Sequence, residues 1–146
     1  MNKLGVVEES WKFIDIFSLD DDMLAFVPEP VISLLFLYPL ETSIENALLG
    51  VEDNSSKVVL IKQTVGNACG TIAILHAIVN NKQHLSIKDG SFLSSVLKEF
   101  ENKTPAERGV IVESKAPNAE SKTNLHFVCF VEHDGSLYEL GMLCLS

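Results

Sequence analysis

Apolar and polar positions alternate along this chain in a way that separates strands from helices. Residues 31–38 run Val-Ile-Ser-Leu-Leu-Phe-Leu-Tyr, branched and aromatic throughout, and predict a buried strand. Residues 57–62, Lys-Val-Val-Leu-Ile-Lys, predict a second strand with a charge at each end. Residues 72–79 are apolar on every side of a helical turn, so the helix they form should be buried, with Asn80 and Asn81 at its stop. Residues 91–100 place Phe92, Leu93, Val96, Leu97 and Phe100 on one face of a second, amphipathic helix. Residues 125–132 and 137–140 read as two antiparallel strands joined at Asp134-Gly135, a two-residue turn signal. Paired positions across that hairpin then sum to 269, so position 143 faces His126 and position 141 is its diagonal neighbour.

The rest of the pattern is weaker. Asp20 is placed to cap a short helix over residues 21–26, which Pro28 and Pro30 would end. Residues 42–49 suit another short helix, 51–56 a polar turn, and the polar stretch 101–124 a long surface loop. The fold class expected is α+β in one domain over residues 1–146, a buried helix leading away from a strand.

Composition narrows the function classes. A net charge of −9 disfavours nucleic acid as a partner and favours a basic surface. The longest apolar run, 31–40, is about half of the ~20 residues that a membrane-spanning helix needs, and the N-terminus has no signal-peptide core. Three cysteines without a Cys-x-x-Cys pair point to free thiols, a reducing compartment and no structural zinc. No metal or cofactor is expected, and the location expected is cytoplasmic.

Candidate chemistry centres on Cys69, at the start of the buried helix and after a loop rich in Asn and Gly. The first-turn N–H groups of a helix have no helical partners and carry the positive end of its dipole, which favours negative charge on a sulfur placed there. The other reading is a buried structural cysteine, to which cysteines tend in general. Gln63, where the preceding strand ends, could donate its side-chain amide to an oxyanion beside the Cys69 N–H, or could be a solvated polar residue. Among four histidines, His76 lies seven residues along the helix, about 10 Å away at ~1.5 Å rise per residue, and reads as a hydrogen-bonded core residue. His84 and His133 should be exposed. His126 opens an apolar strand, where it is either a base or a satisfied edge histidine. The diagonal position that should supply an orienting carboxylate is Gly141.

The stretch Gln63-Thr64-Val65-Gly66-Asn67-Ala68-Cys69-Gly70-Thr71 resembles the active-site signature of the ubiquitin C-terminal hydrolases. Leu125-His126-Phe127, with Asp134-Gly135 and Leu137-Tyr138-Glu139-Leu140, resembles that family too, as do Trp11-Lys12-Phe13 and Leu24-Ala25-Phe26-Val27-Pro28. The resemblance implies a papain-like thiol hydrolase fold, with Cys69 as nucleophile, Gln63 as oxyanion donor and His126 as base. It implies cleavage of small adducts or peptides from the C-terminal glycine of ubiquitin by a cysteine-type deubiquitinase, expected to be monomeric. It also implies that residues 102–124 are the loop that gates the site. Two features depart from it. Gly141 stands where the family has Asp, and residues 141–146 do not resemble the family's continuation, so the fold is expected to be incomplete at its C-terminus, without the knot of its late elements. A catalytically impaired ubiquitin-binding protein is therefore the competing expectation, and a product without a stable fold the third.

Overall fold

In the computed structural model, the structure describes residues 5–7, 11–39, 51, 53, 57–64, 68–115 and 125–141. The elements are helix α1 (Asp21–Leu24), strand β1 (Ser33–Pro39), helix α2 (Cys69–Asn80), a 3-10 turn (Lys82–His84), helix α3 (Phe92–Glu99), helix α4 (Pro105–Lys115), strand β2 (Leu125–His133) and strand β3 (Ser136–Leu140). This is the expected mixture of helix and antiparallel sheet. The strands form one sheet in the order β1-β2-β3, with β2 central. Strand β1 runs antiparallel to β2 with Tyr38 opposite His126. Strand β3 pairs with β2 in the expected register, Cys129 opposite Leu140 and Phe130 opposite Glu139. Asp134 and Gly135 both have positive φ, 51° and 77°, as a two-residue hairpin turn of matching twist requires.

Helix α2 is apolar all round because it is covered on two sides. One side buries Ile72, Leu75, Ile78 and Val79 with Val6, Ile61, Leu93, Val96, Phe100 and Val112. The other buries Ala73 and Ala77 against Cys129, Val131 and Leu140 of the sheet. The small alanines let the helix lie close to β2. Ser91 caps α3, its hydroxyl accepting from the Ser94 N–H at 3.2 Å.

Four expectations are corrected. The first strand is not buried: Leu34, Phe36 and Leu37 are exposed, because β1 lies at the edge of the described sheet. Residues 57–62 form no strand, because their backbone groups are taken by other partners. Val59 N–H donates to Asn80 Oδ1 (2.6 Å), Asn80 Nδ2 donates to Val59 O (3.0 Å), Ile61 N–H donates to His76 Nε2 (2.9 Å) and Lys62 N–H donates to Pro105 O (2.9 Å). The segment is thus laddered onto two side chains of α2 and the first backbone carbonyl of α4. The polar stretch 101–124 is not one loop, since α4 occupies Pro105–Lys115. Its start carries a reciprocal capping box. Thr104 N–H donates to Glu107 Oε2 (2.8 Å) and Glu107 N–H to Thr104 Oγ1 (3.3 Å), with Pro105 at the first helical position. Finally, α1 stops at Leu24, and Asp20 caps nothing with its side chain; its carboxylate accepts from Ser18 Oγ instead. The helix expected at 42–49, the segment 116–124 and position 143 lie outside the described residues, as does all but Val51 and Asp53 of the turn expected at 51–56.

Candidate active site

Cys69 is the first residue of α2. The N-cap residue, Ala68, offers no side-chain acceptor, and the first helical hydrogen bond runs from Ile72 N–H to Ala68 O (2.9 Å). The amides of Cys69, Gly70 and Thr71 therefore precede the helical ladder and point out of the helix start. The thiol is free and half-buried.

The start of β2 lies against this turn. A Cβ built on Gly70 would stand 3.3 Å from the Phe127 ring, so only glycine lets α2 and β2 approach at that level without the ring shifting. Cys69 immediately precedes Gly70, and His126 immediately precedes Phe127. The Phe127 ring thus packs on the first turn of α2, which bears Cys69, and Phe127 itself follows His126 in β2. The Cys69 and His126 side chains are not joined. Phe127, Cys129 and Val131 face α2, so strand alternation directs His126, with Val128, to the other face of the sheet. There the imidazole is 5% exposed, edge-on to the Tyr38 ring at 5.7 Å, and its Nε2 has no hydrogen-bond partner among the described residues. Burial holds its pKa below the usual histidine value, which keeps it neutral and able to take a proton.

Gly141 is packed so that a Cβ there would overlap Val128 Cγ1 and Cβ. The position thus lacks a carboxylate and has no room for one beside the present Val128. Gln63, half-buried, follows the laddered segment directly. Arg108 Nη1 donates to Leu60 O (3.0 Å), and Thr64 Oγ1 donates to Glu113 Oε2 (3.1 Å), so α4 fixes the chain on both sides of Gln63. Gly109 allows this, because any Cβ there would overlap the Lys62 carbonyl. The sequence reading missed α4's part in the site, although Thr104-Pro105-Ala106-Glu107 carried the capping-box signal.

The other histidines fall as expected for His76 and His84: His76 is buried in the core and hydrogen-bonded, and His84 is exposed. His133 is partly exposed, 3.5 Å from the Asp134 carboxylate. Cys129 is fully buried and its thiol is pushed up to about 12 by burial, which makes it inert. Among the described residues, no group of three or more His, Cys, Asp or Glu side chains could hold a metal ion. No helix among them is long and apolar enough to cross a membrane.

A helix-initial cysteine set against a strand that opens with histidine is the layout of an α+β thiol hydrolase. Comparison with known proteins places it more narrowly. The profile of the family described as ubiquitin carboxyl-terminal hydrolase, family 1, matches residues 1–143, and the chain belongs to that family. It is 36% identical over 160 residues to ubiquitin carboxyl-terminal hydrolase isozyme L1 of Homo sapiens, covering 96% of this chain and 71% of the relative. It is 36% identical over 157 residues to ubiquitin carboxyl-terminal hydrolase 3 of Arabidopsis thaliana, covering 94% and 67%. The fold is similar to that of the Trichinella spiralis UCH37 catalytic domain bound to ubiquitin vinyl methyl ester, with a TM-score of 0.57 and 18% identity. That match covers 77% of this chain and 56% of the other, so the chain spans little more than half of its solved neighbour.

Proposed function

We propose that this chain is a thiol-dependent hydrolase acting at the C-terminal glycine of ubiquitin, with Cys69 as nucleophile, His126 as base and Gln63 as oxyanion donor. The observation that supports the reading is the packing of the Phe127 ring on Gly70, which holds the strand segment that follows His126 against the helix turn that bears Cys69. The Cys69 sulfur attacks the glycine carbonyl carbon while its proton passes to His126 Nε2. The Gln63 amide and the Cys69 N–H donate to the oxyanion that forms. As the C–N bond breaks, the imidazolium returns its proton to the departing amine and a thioester remains. Water then attacks the thioester, giving up a proton to His126, and the thiolate leaves. Because β2 directs His126 to the face away from α2, the reaction requires the first residues of β2 to turn over, not the imidazole alone. Small conjugates of ubiquitin in the cytoplasm are the substrate class.

A second reading rests on Gly141. With no carboxylate to orient His126 and Val128 filling the space, turnover would be low, and the chain would bind ubiquitin rather than process it. In a serine triad, loss of a correctly orienting Asp costs about 10⁴ in turnover. The test is incubation with ubiquitin bearing a thiol-reactive vinyl ester at its C-terminus, beside Cys69→Ala, followed by hydrolysis of a ubiquitin C-terminal amide. An adduct that needs Cys69, together with turnover, is expected. Binding without an adduct would establish the second reading and sink the first.

A further inference from the structure

The mechanism above uses His126 but not His76. His76 is 0% exposed at the centre of α2. Its Nε2 accepts the Ile61 N–H at 2.9 Å, which fixes the neutral ring with its proton on Nδ1. On the Nδ1 side lies the Leu140 carbonyl, which favours the charged ring without completing a hydrogen bond. One turn later, on the same face of the helix, Asn80 grips Val59 through both its N–H and its C=O. An i, i+4 pair on α2 therefore does for residues 59–61 what a neighbouring strand would do. Two residues beyond Ile61 stands Gln63.

We propose that His76 is a positioning residue: as a neutral acceptor for the Ile61 amide, it sets the register of residues 59–62 and so the reach of Gln63 toward the helix start. This inference rests on the hydrolase reading for its consequence in turnover, but not for the brace itself. Spacing explains the division of labour. Asn80 fixes the segment at Val59 and α4 fixes it at Leu60 and Lys62, whereas His76 ties it to the helix that bears Cys69 within two residues of Gln63. Protonation of Nε2 would turn the acceptor into a donor facing an N–H, and the bond would be lost.

Burial lowers the His76 pKa to about 4 and is the largest influence on it. No charged side chain contributes to that shift. Helix α2 carries none; Lys57 and Lys62 lie at the exposed ends of the segment; Arg108 on α4 is turned to the Leu60 carbonyl; Glu139 on β3 is exposed; and the Cys129 thiol on β2 is neutral. The brace is therefore closed at neutral pH and opens only in acid.

The test is amide hydrogen exchange on the full chain, normalised to the intrinsic rate at each pH, with Val79 in α2 as internal reference. In the unaltered chain the Ile61 amide should be protected at pH 7 and lose that protection as pH falls through about 4. His76→Gln keeps a neutral acceptor of similar reach, so protection should persist through that range. His76→Leu should cut protection at Ile61 by about tenfold at pH 7, the worth of one buried hydrogen bond. Hydrolysis of a ubiquitin C-terminal amide by His76→Leu should fall about tenfold in kcat with KM and iodoacetamide alkylation of Cys69 held within about twofold, and His76→Gln should recover it. Protection that collapses at the same pH in His76→Gln as in the unaltered chain would overturn the proposal, even if His76→Leu fails to fold. So would loss of Ile61 protection with kcat unchanged. An unaltered chain that shows the exchange pattern but no hydrolysis would overturn the hydrolase reading and leave the brace standing.

Discussion

The segment that leads to Gln63 and the strand that begins beside His126 both lie against α2, but they are held to very different degrees. Between Val59 and Thr64 almost every residue gives a backbone or side-chain hydrogen bond to α2 or α4. At about 1 kcal/mol net for each, and more for leaving a buried one unmade, these bonds hold the Gln63 arm in one register. The His126 arm is different. His126 is buried, its Nε2 is unpartnered among the described residues, and the place of an orienting carboxylate is closed by Val128 against Gly141. One half of the candidate site is thus held by hydrogen bonds and the other by burial and packing. Catalytic geometry is stored in the contacts around each group and not in the identity of the group alone.

The largest effect should come from the His126 arm. His126→Gln should lower hydrolysis of a ubiquitin C-terminal amide by roughly 10²-fold or more, the usual worth of a general base, while leaving the melting temperature nearly unchanged. A change smaller than threefold would mean that the imidazole does not reach the reaction.

Acid should strike the Gln63 arm next. His76 titrates at about 4 in the folded chain and near 6.5 when unfolded. The unfolded state therefore binds the proton first, and stability falls as pH drops from about 6.5 to 4, with His76 alone contributing about 3 kcal/mol. Burial of His126 pushes in the same direction. Urea unfolding at a series of pH values measures this slope, which His76→Gln should flatten.

Gly109→Ala drives a methyl group into the Lys62 carbonyl and should cost about 2 kcal/mol by forcing α4 away from the segment. If the comparison between the arms is right, its kinetic effect appears in kcat through Gln63, whereas Cys69 alkylation is untouched. The smallest change should be Thr64→Val. It removes an exposed hydrogen bond to Glu113 and should cost no more than about 0.5 kcal/mol in a thermal melt.

How much of this was legible beforehand follows from the range of the forces involved. Helix α2, the β2–β3 hairpin with its register, the Asp134-Gly135 turn and the place of Cys69 at a helix start are local, written in hydrophobic period and turn chemistry. The sequence by itself therefore determined the α+β class, the family and the candidate trio Cys69, Gln63 and His126. Helix α4 was locally encoded as well, through Thr104 and Glu107, but its weak apolar face hid it in a polar stretch.

Residues 57–62 show the opposite case. Their branched side chains satisfy a strand pattern, yet a strand exists only if another backbone takes its hydrogen bonds, and here those bonds went to His76, Asn80 and α4. Tertiary structure alone decided that, as it decided which face of the sheet His126 occupies and that Val128 closes the space beside Gly141. The reason is common to all three. Periodicity records which side chains prefer to leave water, whereas partners for polar groups and the room beside a glycine depend on residues brought together from distant parts of the chain.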